Sequence, residues 1–229
     1  GTRLQDFTSG SRRLFARPDC RIIQLNAAPQ DLHKHGALPL QADALAGLVA
    51  LDDLLDGWQA DQGWQSRAKQ AMAEWREQAD AALADRGSDL PSDAEVIGAV
   101  GRFAGERDSV VCAAGGLPGE LHKLWRSQAP GSYHLEYGFS CMGYEIAGGL
   151  GVRMAKPDGE VIVMVGDGSY LMMNSEIATS VMLGQKLIIT VLDNSGFGCI
   201  NRLQRATGGE SFNNLLADTR HETLPAVDF

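Results

Sequence analysis

The 229 residues carry a net charge of −9, from 20 Lys and Arg against 29 Asp and Glu. That balance argues against nonspecific binding to nucleic acid or an anionic membrane, which both need a cationic face, and no run is apolar enough for a membrane span or a secretory signal. The four cysteines form no CxxC pair and read as buried reduced thiols of a cytoplasmic protein, not as a disulfide framework or a zinc site.

Taken in chain order, Arg21-Ile22-Ile23-Gln24-Leu25 is a strand candidate. Asp43 is a natural N-cap for a helix over residues 44–55, where Leu45, Leu48, Leu51 and Leu55 recur at helical spacing. A second helix, over residues 64–83, carries Trp64, Ala68, Met72, Trp75, Ala79 and Leu83 on one stripe, read as packing. Gly87 to Pro91 reads as a boundary, and Ser92 with Glu95 forms a capping box that starts a new helix. A strand at residues 109–113, a glycine-rich loop at 115–119 and a helix through Leu124 and Trp125 follow. Then come an extended stretch at 133–137, a helix over 143–154, and apolar strands at 161–165 and 187–192 with an amphipathic helical segment between them. This alternation predicts an α/β fold with a doubly wound, mainly parallel sheet. The boundaries divide the chain into 1–57, the end of a preceding α/β domain, 58–90, a helical linker, and 91–229, a domain truncated at its C-terminus. The chain opens at Gly1 without Met and closes on the apolar Ala226-Val227-Asp228-Phe229, so it reads as a C-terminal fragment of a longer protein.

The two strand tips carry the chemistry. Val161 to Val165 runs into Gly166-Asp167-Gly168-Ser169, and Leu187 to Leu192 into Asp193-Asn194-Ser195-Gly196. Ligands of open parallel sheets bind at the carboxyl ends of the strands, which puts Asp167 and Asn194 on one rim. A hard cation such as Mg²⁺ takes oxygen ligands in octahedral geometry and shares them with substrate phosphates. Asp167 supplies a carboxylate, Asn194 an amide oxygen, and the turn at Gly196 a backbone carbonyl. Gly168 and Ser169 open the next helix, where free N–H groups favour a phosphate. Either half alone is a common strand-to-helix turn; both in register predict a metal-bridged diphosphate.

Asp167-Gly168 followed by Asp193-Asn194 resembles the signature of thiamine-diphosphate enzymes, GDG then NN after about 24 to 27 residues. The first Asn is Asp193 here, while the family's metal-binding Asn is kept as Asn194. Gly138-Phe139-Ser140-Cys141-Met142-Gly143, followed by Ala147-Gly148-Gly149-Leu150-Gly151, resembles the family segment against the aminopyrimidine. The resemblance implies that Met142 props the bent cofactor, that the Met142 N–H and Ser140 carbonyl pair with the pyrimidine edge, and that Gly116 and Leu117 approach the diphosphate. It implies the cofactors thiamine diphosphate and Mg²⁺, and the metal ligands Asp167, Asn194 and Gly196. It makes residues 1–57 the end of the family's middle domain, on the likeness of residues 1–11, and 91–229 its diphosphate-binding domain.

Within the family, residues 114–125, 136–145 and 193–201 resemble the branch that hydrolytically opens a trihydroxycyclohexane-1,2-dione to a 5-deoxy-glucuronic acid in inositol catabolism. That implies a small cyclic dione as substrate and a homo-oligomer, a dimer or a dimer of dimers, with sites formed between subunits. The family's activating glutamate belongs to an N-terminal domain, and Glu136, Glu145 and Glu176 do not occupy its position, so no catalytic residue is assigned. Of the five histidines, His33, His35, His122 and His221 read as ordinary polar residues, while His134, just before the pyrimidine segment, is a candidate for substrate contact. Cys141 and Cys199 have no evident activating partner for a nucleophilic role.

Three rivals stand beside this. Gly166 and Gly168 begin a dinucleotide-binding pattern, but Leu171 stands where its third glycine should be. The shared motifs also suit acetolactate synthesis or 2-oxoacid decarboxylation, and the chain alone could be an inactive cofactor-binding module.

Overall fold

The computed structural model describes residues 4–219 and 229 and separates into two units, Gly1–Lys69 and Gln70–Phe229. Residues 1–3, His221 and the run Ala226-Val227-Asp228 lie outside the described residues. The first unit holds α1 (Asp6–Ser9), the parallel pair β1 (Ile23–Asn26) and β2 (Leu38–Gln41), and α2 (Ala44–Leu54). Asp43 caps α2 as expected, accepting the N–H groups of Leu45 and Ala46 at 3.0 and 3.2 Å. α2 meets β1 through Gly47, where a β-carbon would stand 2.7 Å from the Leu25 side chain. Leu45, Leu48, Val49 and Leu54 of α2 are exposed.

The division falls inside α3 (Gln62–Leu83). Its aromatic stripe is not packed among the described residues. Trp64, Met72 and Trp75 are exposed, and only the C-terminal end, through Ala79 and Leu83, joins the core of the second unit. Helical spacing identifies a common face; it does not supply the surface that covers it.

The second unit begins at α4 (Asp93–Phe103), opened by the expected capping box: Glu95 N–H donates to Ser92 Oγ at 3.3 Å, and Ser92 N–H to Glu95 Oε2 at 2.9 Å. β3 (Ser109–Cys112), α5 (Gly116–Leu124), β4 (Tyr133–Leu135), α6 (Tyr144–Ala155), β5 (Val161–Gly166), α7 (Asp167–Met172), α8 (Glu176–Met182), β6 (Ile188–Leu192) and α9 (Gly198–Ala206) follow. The sheet is wholly parallel, in the order β4-β3-β5-β6. β5 shows why its sequence is an unbroken apolar run. Ile162 and Met164 pack with Ile97, Leu117, Leu121 and Leu124 on one face, while Val163 and Val165 pack with Ile146 on the other. A strand covered on both faces has no solvent side to alternate with.

Three elements of the second unit depart from the sequence reading, as do α1 and β2 of the first, which it did not anticipate. The glycine-rich stretch at 115–119 is mostly the first turn of α5, because Pro118 is tolerated in a first turn and Leu117 and Leu121 are buried. The amphipathic segment after β5 is two short helices, broken at residues 173–175 where Asn174 and Ser175 favour a turn. α9 had no counterpart in the sequence reading. The chain leaves β3 for β4, then returns to the opposite side of β3 as β5. That reversal opens a crevice beyond the carboxyl ends of β3 and β5, where parallel sheets bind ligands.

Candidate functional site

Parallel pairing sets Gly166 opposite Leu192, so the residues after β5 and β6 emerge side by side. Asp167 is only 5% exposed. Its Oδ2 accepts the Gly196 N–H at 2.7 Å, which ties the tip of β5 to the turn after β6. Its Oδ1 is buried without a hydrogen-bond partner. Burial pushes this carboxyl above its ordinary range. The N–H groups of Gly196 and Gly168 pull against that, Asp193 adds to it, and the Asn194 N–H again opposes it. A buried carboxylate oxygen with no donor is costly, and a divalent cation would satisfy it. Asp167, an amide and a carbonyl form a hard oxygen set suited to Mg²⁺; among the described residues no cluster of three His, Cys, Asp or Glu offers a metal site.

The turn after β6 is tightly specified. Asp193 Oδ1 accepts the Ser195 N–H at 2.7 Å, so the residue that departs from the family pattern closes a local turn. Ser195 has φ +59° and Gly196 φ +138°. A β-carbon at Gly196 would stand 2.5 Å from the Asn214 carbonyl oxygen, a position only glycine fills without strain. Phe197 N–H donates to Asn214 O and Leu216 N–H to Ser195 O, which pins the turn from outside. Gly168 lies under Phe197, 2.7 Å from where its β-carbon would be. The Asn194 side chain is exposed, and its Oδ1 takes only a long 3.4 Å bond from Gly198 N–H, which a cation could replace. No hydrogen bond joins it to the Asp167 side chain.

Gly116 closes the crevice from β3. It lies against α9, with Arg202 Nη2 2.6 Å and Cys199 Cβ 3.5 Å from where its β-carbon would stand. Leu117 turns its side chain into the core, so only its backbone N–H, in the first turn of α5, faces outward chemistry. Ser140 is exposed at φ +56° and Met142 is half-buried, both in the loop of residues 138–143. Ser169 is buried at the start of α7 and bonds back to that loop: its Oγ accepts the Gly143 N–H at 2.7 Å. His134 stands apart. It is the middle residue of the edge strand β4, paired with Val111, and its Nε2 bonds the Gly131 carbonyl at 3.0 Å.

Sequence reasoning missed three groups here. Arg202 brings a cation over Gly116. Glu145 is 1% exposed, with Oε2 accepting from Ser169 Oγ (2.7 Å) and Gly143 N–H (3.0 Å) and Oε1 from Ala114 N–H (3.4 Å). Glu136 accepts the N–H groups of Phe139 and Cys141 at 2.9 and 2.7 Å. The one available signal was an acidic residue inside an otherwise apolar helix start at Glu145, since such a residue is buried only when paired.

A family model described as thiamine pyrophosphate enzyme, C-terminal TPP binding domain, matches residues 113–229, just over half of the chain and all three loops of the crevice. The chain is 38% identical over 237 residues to the 3D-(3,5/4)-trihydroxycyclohexane-1,2-dione hydrolase of Halalkalibacterium halodurans, covering 93% of this chain and 37% of that protein. The hydrolases of the same name from Bacillus cereus and Geobacillus thermodenitrificans are 37% and 39% identical, covering 97% and 93% of this chain and 38% and 36% of theirs. The chain thus spans less than two-fifths of the length of these curated relatives. No helix among the described residues is long and apolar enough to cross a membrane.

Proposed function

Because this chain belongs to the thiamine pyrophosphate enzymes, we propose that the protein carrying it uses thiamine diphosphate and Mg²⁺ to open a trihydroxycyclohexane-1,2-dione hydrolytically, releasing a 5-deoxy-glucuronic acid. The observation that carries the cofactor part is the orphaned Asp167 Oδ1 beside a glycine turn on the neighbouring strand tip. The substrate part rests on relatives of that name, matched along more than nine-tenths of the chain.

In this reading Asp167, Asn194 and the Gly196 carbonyl hold Mg²⁺. The N–H groups of Gly116, Leu117, Gly168 and Ser169 receive the diphosphate. The Met142 side chain would brace the cofactor, while its N–H and the Ser140 carbonyl would meet the aminopyrimidine edge. Thiamine diphosphate, when bound, supplies a nucleophilic carbon and an electron sink next to a carbonyl. The protein's part is to hold that group in one orientation and keep its phosphates neutralised. A second subunit completes the site, so the working protein is a homodimer or a larger oligomer.

The test uses the full-length protein. Thiamine diphosphate with Mg²⁺ should quench its tryptophan fluorescence saturably, and NAD should not. The loaded protein should then convert the cyclic dione to an open-chain acid. Tight cofactor binding with the dione left intact removes the substrate assignment, and acetolactate formed from pyruvate would move the protein to another branch.

A further inference from the structure

Three backbone segments meet at the loop of residues 138–143, and two carboxylates that the proposed mechanism does not use organise them. Along this loop the N–H groups are claimed at alternate positions. Phe139 and Cys141 donate to the two separate oxygens of Glu136. Gly143 donates to Glu145 Oε2 and Ser169 Oγ. Between them, the Met142 N–H and the Ser140 carbonyl have no hydrogen-bond partner among the described residues. Ser140 is held at φ +56° between the two donors to Glu136, a conformation that a free serine loop would rarely keep.

Glu145 extends the same order beyond the loop. One carboxylate takes the Gly143 N–H from the loop, the Ser169 hydroxyl from the turn after β5, and the Ala114 N–H that precedes the Gly115-Gly116 step after β3. These three segments come from three different strand tips, and Glu145 is buried at their junction. A buried carboxylate is retained when its lone pairs are filled by donors, and here all the donors belong to parts of one cradle.

We propose that Glu136 and Glu145 are paired positioning residues for the cofactor: Glu136 shapes the pyrimidine loop so that Met142 N–H and Ser140 C=O stay free, and Glu145 locks that loop to the two diphosphate segments. The proposal rests on the cofactor reading above. It assigns the two carboxylates different reach. Glu136 touches only the loop, whereas Glu145 also touches the segments that meet the diphosphate.

Glutamine tests this without changing size, because it offers one acceptor where each glutamate uses both oxygens. In full-length protein, Glu136→Gln should weaken thiamine diphosphate at least tenfold yet leave the affinity for Mg²⁺-pyrophosphate, which lacks the pyrimidine, within twofold. Glu145→Gln should weaken both ligands at least tenfold. Glu136→Gln with wild-type affinity for thiamine diphosphate overturns the proposal, as does equal loss of both ligands in that variant. Should Glu145→Gln fail to fold, as judged by circular dichroism, the half-exposed Glu136 still decides. Wild-type protein that binds no thiamine diphosphate removes the cofactor reading and this proposal together; wild-type binding with an unaffected Glu136→Gln removes the proposal alone.

Discussion

Asp167 is a carboxylate with one oxygen used and one left over. Gly196 N–H occupies Oδ2, burial raises the cost of the charge, and Oδ1 has no donor. In the proposed site that cost is recovered only with a cation in place. A ligand that binds the folded state alone at 100 times its Kd stabilises by about 2.7 kcal/mol, so thiamine diphosphate with Mg²⁺ should raise the melting temperature of the full-length protein. Asp167→Asn should abolish that rise, measured by scanning fluorimetry with and without Mg²⁺. A contrasting residue is Cys112. Burial pushes its thiol up to about 11, against the Tyr133 hydroxyl 3.3 Å away, which pulls it down. Since the thiolate is the reactive form, peptide mass spectrometry after brief alkylation at neutral pH should find Cys112 unmodified while the exposed Cys20 is labelled.

At the scale of the element, the turn after β6 and the start of α4 show two ways of fixing a backbone. The first is steric. Gly196 sits at φ +138° with the Asn214 carbonyl where a side chain would go, so Gly196→Ala should cost roughly 1–3 kcal/mol and weaken Mg²⁺-dependent cofactor binding. The second is a capping box. The Ser92 N–H, then the Ser92 hydroxyl, hold the Glu95 carboxyl below its ordinary range, outweighing the opposing effect of burial. A lowered folded value means the stabilisation is present above the ordinary glutamate range and disappears as pH falls through the lowered one. Glu95→Ala should therefore destabilise the start of α4 near neutrality and progressively less in acid, read as hydrogen exchange in α4 referenced to intrinsic rates. This capping box, like the Asp43 cap of α2, was legible because donor and acceptor lie within a few residues of each other. The start of α5 was not. Gly115-Gly116-Leu117-Pro118-Gly119 has loop composition, and only burial of Leu117 and Leu121 makes it helical.

For the molecule as a whole, the decisive feature is strand order. The reversal at β3 gathers Gly116, Asp167 and the turn at Asn194 on one edge although they lie far apart along the chain. The division at Lys69 and Gln70 runs through α3, whose end is anchored by Ala79 and Leu83 in the second unit. Trp58, 67% exposed between α2 and α3, should be an early chymotryptic site, leaving α3 joined to the larger product. Early cleavage at Trp75 instead would contradict that anchoring. Composition, caps and the paired strand tips were determined by sequence alone, because each depends on neighbours within a turn or on one strand-to-strand repeat. Only the tertiary structure decided that Glu145 meets Ala114, 31 residues away, and Ser169, 24 residues away. It likewise decided that Leu45, Leu48 and Leu54 of α2 and the tryptophans of α3 stay exposed. Side-chain periodicity specifies which residues share a face; what that face meets depends on the order in which the strands are laid side by side.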